Sequence, residues 1–375
     1  MIRLHDPGAR HRADAAAREA AALAVLRGGR YVGGDVVDAF LAELATATGW
    51  PAAAGAASGT DALSLALMAA GLRPGDEVLV PAVSFFATAG AALRLGLRPV
   101  PVDVGPALPL LDPEAAAGAL GPAVRALVQV PLFGLPLAPL PAGLIPEDVV
   151  LIDDQAQAVG SPSLGAAHRP ARFAALSFYP TKVLGAAGDG GAVLCRNAED
   201  AAALRRLGHH GASAAGFEAV AGWTGVNSRL DALQAAVLGV ELRSLPARLA
   251  RRRAHAARLR EGLGERLRFV LPTGPITHNC SVLVALHPDP AAMVAAAAAR
   301  GVELGRYYPR PLSAEPALQG RARLPPCPRA ARFCAEALAL PCREDLHDHE
   351  LDEVIDVLRA LTAALGPHPA AGAAA

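Results

Sequence analysis

The chain has 375 residues, of which 53% are hydrophobic and 19% charged, and its formal net charge is zero. That length suggests about two domains, and the apolar content excludes global disorder. The neutral balance argues against nucleic acid as a main partner.

In chain order, the N-terminus is charged and broken by Arg10, His11, Arg12 and Asp14. No signal peptide is expected there, and cytoplasmic residence follows by default. Residues 14–26 read as an alanine-rich helix, and residues 36–48 as another with Val37, Phe40, Leu41 and Leu44 on one face. Ser58-Gly59-Thr60-Asp61 precedes an apolar helix over 63–70, which Gly71 and Pro74-Gly75-Asp76 end. Buried-strand patterns follow at 78–81, 98–102, 126–130, 149–152, 174–178 and 191–195, most of them separated by helix-like stretches. This alternation predicts a largely parallel sheet covered on both faces, with ligands gathered at the carboxyl ends of its strands. After Asp231 a long helical pattern runs toward Leu263 and is interrupted at Pro246. The arginines in it, from Arg243 through Arg248, Arg251, Arg252, Arg253 and Arg258 to Arg260, read as a solvated helix face. A strand over 281–286 and helices over 290–300 and 348–365 complete the chain. A boundary near Glu241 would give a large unit of residues 1–240 and a small C-terminal unit of residues 241–375. The tail from residue 366 reads as disordered.

Apolar runs such as 135–145 are broken by prolines, so no membrane span is expected. Cys195, Cys280, Cys327, Cys334 and Cys342 form no CxxC pair, so neither a zinc site nor a disulfide framework is expected.

The chain contains a single lysine, Lys182, in Ser177-Phe178-Tyr179-Pro180-Thr181-Lys182. Arginine replaces lysine wherever a solvated positive charge suffices. It cannot do so where an amine must lose its proton and attack a carbonyl, because guanidinium stays protonated. Lys182 is therefore a candidate Schiff-base nucleophile.

Schiff-base chemistry with a phosphorylated cofactor also needs an acid partner for a ring nitrogen, a phosphate cradle and a flat apolar surface. Asp153 and Asp154 end a strand pattern, and only one of two adjacent strand residues can face a ring. An aspartate there also suits a helix N-cap. Ser58-Gly59-Thr60 offers amides and a dipole at a helix N-terminus, or an ordinary cap. Ser177 could add a hydroxyl to the same phosphate. Phe85 or Phe86 could lie against a ring or belong to the core.

The order and spacing of these blocks resemble the DegT/DnrJ/EryC1/StrS aminotransferases. Ala57-Ser58-Gly59-Thr60-Asp61-Ala62-Leu63 is similar to that family's cofactor-phosphate motif, and the blocks at 80–89, 152–158 and 177–182 to its next three. Gly188-Asp189-Gly190-Gly191-Ala192, the stretch 225–236, Gly29-Arg30-Tyr31 and Tyr308-Pro309-Arg310-Pro311-Leu312 extend the match over about residues 20–360. The resemblance implies an α/β chain of the pyridoxal-phosphate (PLP) fold type I, with a mostly parallel sheet in the large unit and a smaller C-terminal α/β unit. It implies a homodimer with shared active sites. By motif position Lys182 would bind the cofactor, Asp154 would hold its pyridine nitrogen, and Gln157 would lie near its ring hydroxyl. Gly59, Thr60 and Ser177 would hold the phosphate, joined by Asn227 from the partner subunit, and Phe85 would stack on the ring. Arg229 and Tyr308 would lie near the substrate. The implied reaction moves an amino group from glutamate or glutamine to a nucleotide-linked keto-sugar or a keto-cyclitol, in specialised-metabolite or cell-surface sugar biosynthesis.

Pro131, Val159, Ser281 and Tyr307 stand where the family often has histidine, which thins the polar groups around the substrate. A lyase of the aminohydroxybenzoate synthase type would use the same lysine. A non-catalytic sensor or partner subunit would not need the complete cofactor set. Sugar dehydratases of the family replace the lysine with histidine, so Lys182 argues against that role. A dinucleotide-binding dehydrogenase is disfavoured, since no G-x-G-x-x-G follows a first strand.

Overall fold

The computed structural model describes residues 1–137, 140–162 and 169–368. Helices α1 (Pro7–Ala13), α2 (Ala15–Gly28) and α3 (Asp35–Thr48) lead into strand β1 (Ala52–Ala56) and helix α4 (Gly59–Ala69). Then come β2 (Glu77–Pro81), α5 (Ala87–Arg94), β3 (Arg98–Val102), α6 (Pro113–Gly118), β4 (Val124–Gln129), β5 (Val150–Asp154), β6 (Phe173–Ser177) and β7 (Gly191–Cys195). Helix α7 (Ala198–Leu207) and a short hairpin, β8 (Ala212–Ser213) with β9 (Gly216–Phe217), precede the 32-residue helix α8 (Ala232–Leu263). The chain ends with β10 (Arg268–Phe269), β11 (Leu283–Leu286), α9 (Pro290–Ala298), α10 (Pro328–Glu336), β12 (Ala337–Leu340) and α11 (Asp348–Leu365).

The first seven strands form one sheet in the order β1-β7-β6-β5-β4-β2-β3. Only β7 runs against its neighbours, so the sheet is mostly parallel as the alternating pattern predicts. Its strands are short and apolar because both faces are covered. One face packs on α4, α5 and α7 through Leu63, Leu67, Ala89 and Leu204, and part of the other on α3 and the first half of α8 through Phe40, Leu44, Leu238 and Leu242. A second sheet, β10-β11-β12, is antiparallel and packs with α9, α11 and the end of α8.

One strand is unforeseen and two expectations fail, each for an identifiable reason. The sequence gives no strand signal over β1, which reads Ala-Ala-Ala-Gly-Ala. Small residues are required there: a Cβ on Gly55 would lie 2.8 Å from the Leu230 Cβ. Pro246 does not interrupt α8. Pro246 supplies no N–H to the Leu242 carbonyl, but the neighbouring Glu241 carbonyl accepts from Arg248 Nη2 (2.6 Å) and Ser244 Oγ (3.3 Å), and the helix runs on. The arginines of α8 are not one solvated face. Arg252 is 4% exposed and bonds Glu344 and the carbonyls of Cys280 and Ser281, Arg253 bonds the His278 carbonyl, and Arg258 bridges Asp348 and Asp352.

The division expected near Glu241 falls inside α8, and Ile2 and Leu4 pack on the C-terminal side of it, Ile2 pairing with Val302. Of the tail, the Gly366 carbonyl accepts from His287 Nε2 (3.0 Å) and His368 pairs with Glu336, so these residues are tied down. Residues 369–375 lie outside the described part. No described helix is long and apolar enough to cross a membrane.

Candidate active site

The carboxyl ends of β1, β2, β5 and β6 open on one cavity of about 330 Å³. Each brings one piece. After β1, Ser58 caps α4 by accepting from the Asp61 N–H (3.1 Å), so its hydroxyl is used locally. Gly59 and Thr60 form the first helical turn, whose N–H groups have no partner within a helix. A Cβ on Gly59 would fall 2.5 Å from the Ser177 Cβ, so only glycine lets this helix end approach the end of β6. Ser58, Gly59, Thr60 and Ser177 all line the cavity, and they form a cradle of amides and hydroxyl suited to a phosphate.

β5 places Asp153 and Asp154 on opposite faces. Asp154 is 5% exposed and lines the cavity. Its Oδ2 accepts from Thr88 Oγ1 (2.7 Å) and its Oδ1 from the Ala156 N–H (3.2 Å). Because Thr88 has one hydroxyl proton and gives it to Asp154, the Ser84–Thr88 contact of 2.7 Å is donated by Ser84. Burial pushes the Asp154 carboxyl up, while Thr88, Ala156 and Lys182 pull it back.

Lys182 follows β6 in a tight turn: its N–H donates to the Tyr179 carbonyl (2.8 Å), and the Ala186 N–H closes onto Phe178 (2.8 Å). Its side chain lines the cavity. Burial pushes its amine below the usual lysine range, and the Asp154 charge opposes that. An amine held this way loses its proton more easily than a surface lysine, as carbonyl attack requires.

Gln157 is fixed from both ends: its Oε1 accepts from the Phe133 N–H (2.8 Å) and its Nε2 donates to Tyr308 Oη (3.0 Å). Phe85 lines the cavity and lies 6.1 Å from the Tyr308 ring, whereas Phe86 covers Gly90; both are exposed and neither is core. Tyr308 lines the cavity too, its hydroxyl pushed upward by burial. Asn227 and Arg229 do not line it; they bond one another at 2.8 Å on the surface. Among the described residues no group of His, Cys, Asp and Glu could hold a metal.

Sequence reasoning missed three residues of this site. Thr88 and Ser84 orient Asp154, and their four-residue spacing at a helix start is the signal that could have found them. His5 also lines the cavity, its Nε2 3.1 Å from Tyr307 Oη. Burial pushes its imidazole down to about 4, with Arg252, Lys182 and Arg10 adding to the effect, so the ring is neutral near pH 7. His5 reaches the site from the far end of the sequence, and no local pattern announces it.

A buried amine and a buried carboxyl on one cavity, with a helix-end cradle suited to a phosphate and a mostly parallel sheet, are the parts a PLP-dependent enzyme of fold type I needs. The chain belongs to the DegT/DnrJ/EryC1/StrS aminotransferase family, whose model matches residues 13–359. It is 36% identical over 352 residues to the dTDP-3-amino-3,4,6-trideoxy-alpha-D-glucose transaminase of Streptomyces venezuelae, covering 91% of each chain. It is 34% identical to the UDP-N-acetyl-3-dehydro-alpha-D-glucosamine 3-aminotransferase of Acidithiobacillus ferrooxidans, over 89% of this chain and 91% of that one. The crystal structure of S. venezuelae DesV superposes with a TM-score of 0.88 at 34% identity, covering 96% of this chain and 98% of the other.

Proposed function

We propose that this enzyme transfers an amino group from glutamate or glutamine to the keto group of a nucleotide-linked sugar. The observation that carries the reading is the convergence on one cavity of Lys182, whose amine burial pushes down, and Asp154, whose carboxyl burial pushes up. PLP, when bound, supplies the carbonyl with which amines condense and a ring that stores electrons while protons move.

The residues of the chain would divide the remaining work. Gly59 and Thr60 N–H groups and the Ser177 hydroxyl would hold the phosphate. Asp154, oriented by Thr88 and Ala156, would keep the pyridine nitrogen protonated, since a carboxylate at that atom favours its charged form. Phe85 would cover the ring and Gln157 would lie near its hydroxyl. Lys182 Nζ, desolvated and readily neutral, would take the proton from the amine-bearing carbon of the donor and pass it to the cofactor carbon, and would make the reverse transfer for the keto acceptor. Tyr308 would face the substrate.

Asn227 and Arg229 lie outside the cavity, beside exposed Val226, and this supports a homodimer. In that assembly Asn227 of the partner subunit would reach the phosphate, and Arg229 would lie near the substrate. The free, buried cysteines support a cytoplasmic, reducing setting. Both relatives described above are named for nitrogen at C3 of a nucleotide sugar, which supports a 3-keto acceptor.

The test is two-stage. Cofactor-loaded enzyme mixed with glutamate or glutamine alone should change spectrum to the aminated cofactor form. Adding a dTDP- or UDP-linked 3-keto sugar should then restore the spectrum and yield an amino sugar by mass spectrometry. No spectral change with either donor contradicts the reading.

A further inference from the structure

The Lys182 turn is held from below by a side chain of the N-terminal helix. Arg10, 8% exposed, sends Nη1 to the Lys182 carbonyl at 2.5 Å and to the Pro180 carbonyl at 3.4 Å. Its Nε donates to Glu344 Oε1 at 2.9 Å. Glu344, 5% exposed, is shared with Arg252, which also bonds the carbonyls of Cys280 and Ser281. Burial alone would raise the Glu344 carboxyl, but Arg252 and Arg10 pull it below the usual carboxylate range. Glu344 is therefore ionised throughout the working pH range.

The fit around this guanidinium is close. A Cβ on Gly185 would lie 2.7 Å from the Pro180 carbonyl, 2.8 Å from Arg10 Nη1 and 3.1 Å from the Lys182 carbonyl. The turn from residue 180 to residue 185 thus folds around Arg10 with no room for another side chain. The Lys182 N–H is already bonded to Tyr179, so its peptide groups are fixed on both sides. Only side-chain torsions remain free to move the amine, and α1 is anchored by the Asp6 cap on the Ala9 N–H (3.0 Å).

We propose that Arg10, held by Glu344, is a positioning residue that sets the place of Lys182 in the cavity. This rests on the role given to Lys182 above. A planar guanidinium suits the task because it bonds a carboxylate and two carbonyls in one rigid fork, which a single ammonium cannot. A misplacement of a reacting group by about 1 Å can lower a rate by as much as ~100-fold. The charged and titratable groups that share the cavity with Lys182 are His5, Asp154, Tyr179, Asp189, Tyr307 and Tyr308, and Arg10 with Glu344 lies behind its backbone.

The experiment compares wild type, Arg10→Met, Arg10→Lys and Glu344→Gln, each loaded with PLP. The readouts are the pH midpoint of the absorbance band of lysine-bound cofactor, kcat and KM, and Tm. Arg10→Met leaves the Glu344 carboxylate with Arg252 alone behind the Lys182 turn, so the midpoint should rise. Its kcat should fall about ten-fold or more, with KM values within about two-fold. Arg10→Lys should recover part of both. Glu344→Gln removes the opposite charge and should move the midpoint down. An unmoved midpoint in Arg10→Met, with kcat and Tm falling together or neither falling, overturns the proposal. If Arg10→Met does not fold, Glu344→Gln decides: a downward shift supports the proposal and an unchanged midpoint refutes it. Failure of the Lys182 reading would look different, since wild type itself would then show no lysine-bound cofactor band.

Discussion

Replacing Thr88 with valine removes one hydroxyl at almost constant shape, at a position 1% exposed. The lost bond is the 2.7 Å donation to Asp154 Oδ2, one of two donors that hold this buried carboxyl. A hydrogen bond to a charged group contributes about 1.5–3 kcal/mol. Its loss should therefore push the already elevated Asp154 carboxyl further up. Ser84, freed from Thr88, can turn its own proton elsewhere, which places the effect toward the lower figure. The carboxylate that should keep the pyridine nitrogen protonated is then less ionised and less well aimed. Apo enzyme titrated with PLP near neutral pH, followed by absorbance, should show a Kd about 10-fold weaker, up to about 100-fold. Tm of the apo enzyme should fall as well, because the buried Ser84 and Asp154 each lose a partner. A Kd and pH profile within about two-fold of wild type would show that Thr88 does not serve Asp154, and the charge argument would fail.

Gly59→Ala would place a methyl 2.5 Å from the Ser177 Cβ. Overpacking of this kind costs about 1–3 kcal/mol, so both the urea midpoint and the affinity for PLP should drop; unchanged values of both would mean that the cradle is looser than described. Asp153 makes a separate prediction. Burial lifts its carboxyl to about 7, and its Oδ1 is buried with no partner among the described residues. A group raised from an ordinary 3.8 binds its proton first in the folded state. The contribution of Asp153 to the stability of the apo enzyme is therefore fullest at low pH and is lost as pH rises from about 4 to about 7. Asp153→Asn should flatten that decline and add at most about 4 kcal/mol near pH 8. Urea unfolding of both proteins near pH 5 and pH 8 checks it, and parallel pH dependence would contradict it.

What the sequence disclosed and what it hid have physical explanations. Lys182 stood out because arginine can fill every other cationic role in the chain but not that of an attacking amine. The parallel sheet was readable because strands buried on both faces are apolar throughout, as in Val78-Leu79-Val80. Strand β1 was hidden because close packing against Leu230 demands alanine and glycine, residues that carry no strand signal. The arginines of α8 looked solvated because periodicity shows which residues share a face, not what covers it; Glu344, 92 residues after Arg252, is what buries that one. Thr88, His5 and Arg10 act through contacts spanning 66 to 302 residues of chain, and nothing local distinguishes them. Asn227 and Arg229 came from motif resemblance alone, and the cavity does not use them.

In the proposed reaction Lys182 is the amine that condenses with PLP. Lys182→Ala, purified and mixed with PLP, tests it most directly by reduction with borohydride and peptide mass spectrometry. Wild type should carry one cofactor mass on the peptide containing Lys182, with the matching absorbance band, and turn over its donor. The variant should show no such adduct, no band and no turnover while keeping its fold by circular dichroism. An adduct elsewhere, or retained band and turnover in the variant, would contradict the account.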